Sequence, residues 1–419
     1  MAAPSHPGLR QRIRADIARN RARVEQLGPG LITGGAGDDP AGIVTYTLVG
    51  ATTGLGQLWL LLLSTPMMIA VQNSVARIAI VTGKSLPELT TAFHSRRLTA
   101  VMVLVLATAN ILTIGADLQA LATLIALFTG QAAIYFLIPV TALIAWLVMY
   151  HSYHAVKRVL IWLTIILAVY IVNAVLARPD LAQLAVNTFI PHIEPNMAWA
   201  TAALGLLGTT ISPYLLFWQA AEEREEKKTV VQAQAVAADT VVGMAYSNLL
   251  AYCMIVSGAL VLYGHGELET LEQIAAALRP VASRYAFALF SLGVLVSGLL
   301  AIPVLAGSTA YAVADAFGWR AGMDNQVSDA KGFYLVFLGA MLIGDAIDLS
   351  GLSAVDALYY SQVLDGVLLP LLIVIVLLLA NDRRIMGEFT NTRFNNAFAA
   401  FALLVTLALT GIMAWQWIR

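Results

Sequence analysis

The chain has 419 residues, of which 59% are hydrophobic and only 12% charged, where a soluble domain carries roughly 25% charged residues. With a mean hydropathy of +0.78, most of its apolar surface must meet lipid instead of water, and a net charge of −1 gives no electrostatic case for nucleic acid as a partner. The single cysteine, Cys253, excludes an internal disulfide or a cysteine-based metal cluster.

In chain order, residues 1–28 read as a basic cytoplasmic tail, Arg-rich and helical from Pro7 to Gln26. They hold arginines but no apolar core, unlike a secretory signal. Residues 29–419 then form one transmembrane transport domain. A spanning helix takes about 20 mostly apolar residues, and on that rule spans fall near 29–49, 56–82, 98–128, 132–150, 156–177, 197–221, 233–263, 284–313, 332–347, 357–380 and 396–417. These apolar runs are continuous and do not alternate with period two, which argues against a β-barrel. With the N-terminus inside, 20 of the 24 Lys and Arg residues fall on inner loops, and only Arg178, Arg279, Arg284 and Arg419 fall outside. This bias fixes the expected orientation, with a cytoplasmic N-terminus and an outer C-terminus in a bacterial-type inner membrane. The inner run Glu222-Glu223-Arg224-Glu225-Glu226-Lys227-Lys228 reads as a solvated helix end or a gate cluster of salt bridges.

Two spans are interrupted. The first contains Gly34-Gly35-Ala36-Gly37-Asp38-Asp39-Pro40-Ala41-Gly42, and the sixth contains Gly208-Thr209-Thr210-Ile211-Ser212-Pro213-Tyr214. Proline removes a backbone donor and glycine weakens the helix around it, and unwound backbone at membrane depth persists only where protein or a cavity satisfies it. The two prolines lie 173 residues apart and each opens a set of five spans. Paired breaks of this kind point to an inverted-repeat transporter with its site at the repeat interface. Pro-kinked packing helices are the alternative, but they leave the buried carboxylates unexplained.

These motifs, in this order, resemble the Nramp (natural resistance-associated macrophage protein) family of divalent-metal transporters. Gly28-Pro29-Gly30 and Asp39-Pro40-Ala41-Gly42 match the family's first helix, and Ser212-Pro213-Tyr214 its sixth. Ser361-Gln362-Val363, Leu369-Pro370 and the run Asn381-Asp382-Arg383-Arg384-Ile385-Met386-Gly387-Glu388-Phe389 match the tenth helix and the loop after it. The resemblance implies an all-α, LeuT-like fold of five-plus-five inverted repeats with helices 1 and 6 discontinuous. Repeat one would span about 29–177 and repeat two about 197–380, with an eleventh helix at about 396–417. It also implies a divalent cation as the transported substrate, with no cofactor. Four departures bear on the chemistry. The family's Asn ligand is replaced by Gly42, its Met by Ser212 and its helix-six His by Tyr214, while its third-helix acids fall on Asn110 and Thr113. Without the soft thioether, the pattern looks more like the magnesium-type branch of the family, suited to a hard ion such as magnesium or manganese.

The metal-site candidates are therefore Asp39 and Asp38 as carboxylates, Ala36 and Thr209 as the positions whose carbonyls serve in the family, Ser212 as a hydroxyl and Gln362 as an amide. Half-helix capping is the alternative for Asp39, a back-bond to the preceding turn the alternative for Ser212, and core hydrogen bonding that for Gln362. Asp38 can join Asp39 only if the segment is unwound, since adjacent helical residues do not share a face. Tyr214, Asp117 and Asp365 are candidates for gating or a proton route. His151 and His154 read as snorkelling interface residues. Partners are the ion and the bilayer, with no obligate protein partner evident. A carrier of a small organic acid or amino acid, coupled to protons or sodium, remains the competing reading. The chain carries neither a His-Glu-x-x-His nor a Gly-x-Ser-x-Gly motif, so it is not expected to be an enzyme.

Overall fold

A computed structural model describes residues 37–150, 165–194, 196–225, 233–323, 325–347 and 351–418. The basic tail 1–28, the Gly28-Pro29-Gly30 start, Ala36, His151, His154 and Lys227 lie outside the described residues.

The main helices are α1 (Pro40–Thr53), α2 (Leu58–Thr82), α3 (Leu86–Phe93), α4 (Arg96–Thr129), α5 (Ile134–Tyr150), α6 (Val169–Leu176) and α7 (Leu181–Phe189). They continue with α8 (Met197–Thr210), α9 (Pro213–Glu225), α10 (Ala233–Val261), α11 (Ala286–Phe317), α12 (Lys331–Ile347), α13 (Ala354–Asn381) and α14 (Arg393–Ile418). Each span expected from hydropathy has a helical counterpart, although only Ile165–Leu176 of the fifth is described. The helix ends follow local chemistry. Ser85 and Glu88 form a capping box on α3, Ser95 caps α4, Asn196 caps α8 and Ser353 caps α13. Gly83, Gly130 and Gly318 close α2, α4 and α11 in the left-handed region.

The sixth span is two helices, α8 and α9, separated at Ile211 and Ser212. The described part of the first span becomes helical only at Pro40. The interruption of the sixth span therefore falls where its Pro-centred motif puts it, and the described helix of the first span starts at Pro40, while residues 29–36 lie outside the described residues.

Packing repeats across the two halves. Helix α1 lies along α10, α8 lies along α13, and α4 backs the bundle against α11, α12 and α13. The tightest crossings are built on reciprocal glycines. A Cβ on Gly208 would run into the carbonyl of Gln362 and the amide of Gly366, and one on Gly366 into Leu204. Gly50 and Gly258 stand in the same relation between α1 and α10. Small residues at such crossings let backbones approach closely where lipid supplies no hydrophobic drive. Gly208→Ala is accordingly expected to force α8 from α13 at a cost of about 1–3 kcal/mol, the range for overpacking. The check is a lowered melting temperature in detergent, and an unchanged melt would contradict this packing.

The run Asn381–Phe389 turns the chain from α13 into α14. Asp382 caps the turn Arg383–Met386, and hydrogen bonds from the Arg384 side chain and backbone hold its carboxyl down at about 2. Asn391 then ties this loop to α2 by donating to Ser74 Oγ at 2.8 Å.

Candidate metal site

Asp39 stands at the break as the N-cap of α1, extended at φ −66° and ψ 169°. Its Oδ1 accepts the Gly42 amide, and its Oδ2 faces the Tyr214 hydroxyl of α9 at 3.4 Å. The next free amide, Ala41 N, donates to Asp117 Oδ1 of α4 at 3.1 Å. The α1 terminus thus attracts two carboxylates, as an exposed helix N-terminus does. Asp38 turns the other way and accepts from Ser247 Oγ of α10 at 3.1 Å.

From the opposite break, Thr209 closes on the same place, while the Ser212 side chain is held back on Thr209. Ser212 Oγ donates to the Thr209 carbonyl at 2.6 Å, the back-bond that competes with a ligand role for both groups. The Thr209 hydroxyl sits over Gly42, where a Cβ would lie 2.7 Å from Thr209 Oγ1 and 2.9 Å from Asp39 Oδ1. Tyr46 of α1 donates to or accepts from Thr210 Oγ1 at 3.1 Å, one turn farther along.

From α13, Asp365 lies within electrostatic range of Asp39, while the Gln362 amide contacts Ser361 Oγ at 3.5 Å. Both are buried, and Asp365 and Asp117 lie within electrostatic range of each other and of Asp39. Four acceptor oxygens here, Asp38 Oδ2, Asp117 Oδ2, Asp365 Oδ1 and Gln362 Oε1, are buried without a hydrogen-bond donor. The structure therefore brings together Asp39, Thr209, Tyr214, Asp117 and Asp365 and points Asp38 toward α10, while Ala36 lies outside the described residues. Among the described residues no three His, Cys, Asp or Glu side chains form a metal-holding group, so carbonyls, hydroxyls and water would have to complete any ion's shell.

Sequence reasoning missed Ser247 and Tyr46. The signal for Tyr46 was its spacing of two turns from Asp39 on one helix face. Ser247, a small polar residue in an apolar span, carried no such signal.

Beyond the site, α9 ends in a closed ionic cluster. Arg224 Nη1 lies 3.4 Å from Glu88 of α3 and 3.1 Å from Asp315 of α11. Tyr311 donates to Glu225 and accepts the Met323 amide at 3.1 Å. Of the two readings of this run, Arg224 follows the salt-bridged one and not the solvated helix end.

A helix that starts at Pro40, facing a span broken at Ser212-Pro213 with buried carboxylates beside it, gives the features on which comparison with known proteins can decide a family. The family model described as natural resistance-associated macrophage protein-like matches residues 30–416. The chain belongs to the Nramp family. It is 28% identical over 421 residues to the divalent metal cation transporter MntH of Deinococcus radiodurans, covering 93% of this chain and 89% of that protein. The protein of the same name from Caldanaerobacter subterraneus is 24% identical, with 94% and 93% covered. Among solved structures, the manganese transporter of Eremococcus coleocola superimposes with a TM-score of 0.74 at 18% identity, covering 92% of this chain and 85% of that one. The nucleobase-cation-symport transporter Mhp1 superimposes at 0.61 and 14% identity, covering 93% and 92%. These likenesses establish the LeuT-type fold. Within the Nramp scaffold, this chain fills the space beside Gly42 with the Thr209 hydroxyl and leaves no sulfur at Ser212.

Proposed function

We propose that this Nramp protein carries a divalent metal cation across the membrane by alternating access, and that the ion is hard, magnesium or manganese. The ion would rest between the α1 and α8–α9 breaks, with Asp39 as its charged ligand and Thr209, Ser212 and Gln362 as oxygen donors. The N-terminus would lie in the cytoplasm, as the loop charges require. The observation that carries this reading is the pair of buried acceptors beside Asp39: Asp117 Oδ2 and Asp365 Oδ1, on carboxylates within electrostatic range of it, meet no donor among the described residues. A buried acceptor left unpaired costs about 1–3 kcal/mol, and a cation supplies what both lack. The relatives' shared name, divalent metal cation transporter, agrees with it.

An organic anion fits less well. It would need the free amides of the broken helix, and those of Ala41 and Gly42 already serve Asp117 and Asp39. Hardness follows from the donor set, which is oxygen throughout where a thioether would favour later transition metals. Isothermal titration of the purified protein with magnesium, manganese and cadmium tests this. Magnesium and manganese should bind and cadmium should bind weakly, whereas Ser212→Met should strengthen cadmium about tenfold, roughly 1.4 kcal/mol. If none of the three ions binds the unaltered protein, the metal reading fails.

A further inference from the structure

A cavity of about 320 Å³, with a mixed polar and apolar lining, opens between α2, the start of α10 and the turn into α14. That volume is at the low end of small-ligand pockets, about 300–1,000 Å³. Its polar wall is Asn73 and Arg77 of α2 with Thr392 and Asn395 at the start of α14, and its apolar wall includes Ile80 and Phe389. Among the described residues no Asp or Glu lines it.

Three features give it a sign. Arg77 makes one long contact, from Nη1 to the Thr390 carbonyl at 3.5 Å, and among the described residues it has no carboxylate partner. Thr392 caps α14 by accepting the Asn395 amide at 3.1 Å. The positive end of a 26-residue helix therefore faces this cavity. The Asn395 side chain, only 5% exposed, lines the cavity and makes no hydrogen bond among the described residues. A guanidinium, an amide and a helix N-terminus converging on one space form an anion site, and guanidinium is the side chain best matched to phosphate.

We propose that this cavity binds the phosphate of an anionic glycerophospholipid headgroup, with Arg77 and Asn395 as its principal donors. Free phosphate shares that chemistry. Ile80 and Phe389 favour the lipid, since they offer the glycerol and first acyl carbons an apolar wall that a free ion could not use. The turn into α14 beside the cavity also carries Arg383, Arg393 and Arg384, the last ion-paired with Asp382, and basic pockets between helices on a cytoplasmic side are suited to acidic headgroups.

The test uses the full chain in nanodiscs. Phosphatidylglycerol should raise the melting temperature above that in phosphatidylcholine, and Arg77→Gln and Asn395→Asp should each remove most of that rise. Lys331→Gln, an exposed change elsewhere, should keep it. A titration with short-chain phosphatidylglycerol should be about tenfold weaker for Arg77→Gln, the loss of one charge-assisted contact. The proposal is overturned if both cavity variants keep the full rise, or if inorganic phosphate added to phosphatidylcholine nanodiscs reproduces it. If Arg77→Gln does not fold, Asn395→Asp decides alone. Neither residue touches Asp39 or the α8–α9 break, so metal titration of the same variants separates failure here from failure of the transport reading.

Discussion

Alanine at Asp39 is expected to abolish metal binding and flux, and asparagine there is expected to do so without loss of stability. Asp39 is both a cap and a charge, and the two substitutions separate these roles. As a cap it accepts the Gly42 amide, a contribution of about 1 kcal/mol that alanine removes. Asparagine keeps an acceptor oxygen at that amide and a polar group toward Tyr214, so the helix start survives. It removes only the negative charge, whose burial at membrane depth costs about 2.5–3.5 kcal/mol on insertion scales. Asp39→Asn should therefore melt at or above the temperature of the unaltered protein while losing at least about 100-fold in ion affinity, more than the 10–100-fold typical of an outer-shell partner. Ion-dependent dye quenching in proteoliposomes and differential scanning of the same preparations give the two readouts. Asparagine transporting at the rate of the unaltered protein would reduce Asp39 to a cap and remove the central ligand of the proposed site.

The parts legible in the sequence were those set by backbone chemistry. Pro40 and Pro213 cannot sit inside continuous helices without help, and both stand at N1 of a helix that starts anew. Span lengths followed hydropathy for the same reason, because lipid leaves the backbone only one way to pair its amides. Side-chain direction was not legible. Nothing in Asp38-Asp39 says which carboxylate faces α10 and which faces α9, since that depends on how the extended residues before Pro40 turn. The Thr209 hydroxyl over Gly42 was equally hidden. The sequence shows two unrelated positions 167 residues apart, and only the approach of α8 to the α1 break makes them neighbours. Asp117 was legible as a buried carboxylate needing a partner, but its partner proved to be a backbone amide, which leaves no mark on sequence.

The Gly42–Thr209 contact yields the other large expected effect. Gly42 occupies the position where the family resemblance implies an Asn ligand, so restoring that Asn is the obvious way to rebuild the family's donor set. The geometry forbids it as a single change. A Cβ at Gly42 would lie 2.7 Å from Thr209 Oγ1, 2.9 Å from Asp39 Oδ1 and 3.2 Å from the Gly37 carbonyl, and both side-chain oxygens belong to the proposed site. Gly42→Asn alone should push Thr209 and Asp39 apart and weaken manganese and magnesium together, by about tenfold or more, the cost of 1–3 kcal/mol of overpacking. Thr209→Ala removes the nearest obstruction while keeping the carbonyl. In the triple variant Gly42→Asn/Thr209→Ala/Ser212→Met, cadmium should recover most, manganese less and magnesium least, because the thioether favours softer ions while the restored amide adds only a hard oxygen donor. The three positions touch one space, so their effects should be strongly non-additive. A cycle of titrations through the single, double and triple variants measures this directly. Gly42→Asn binding magnesium as tightly as the unaltered protein would mean that the hydroxyl of Thr209 yields freely, and the selectivity of this site would then rest on Ser212 alone.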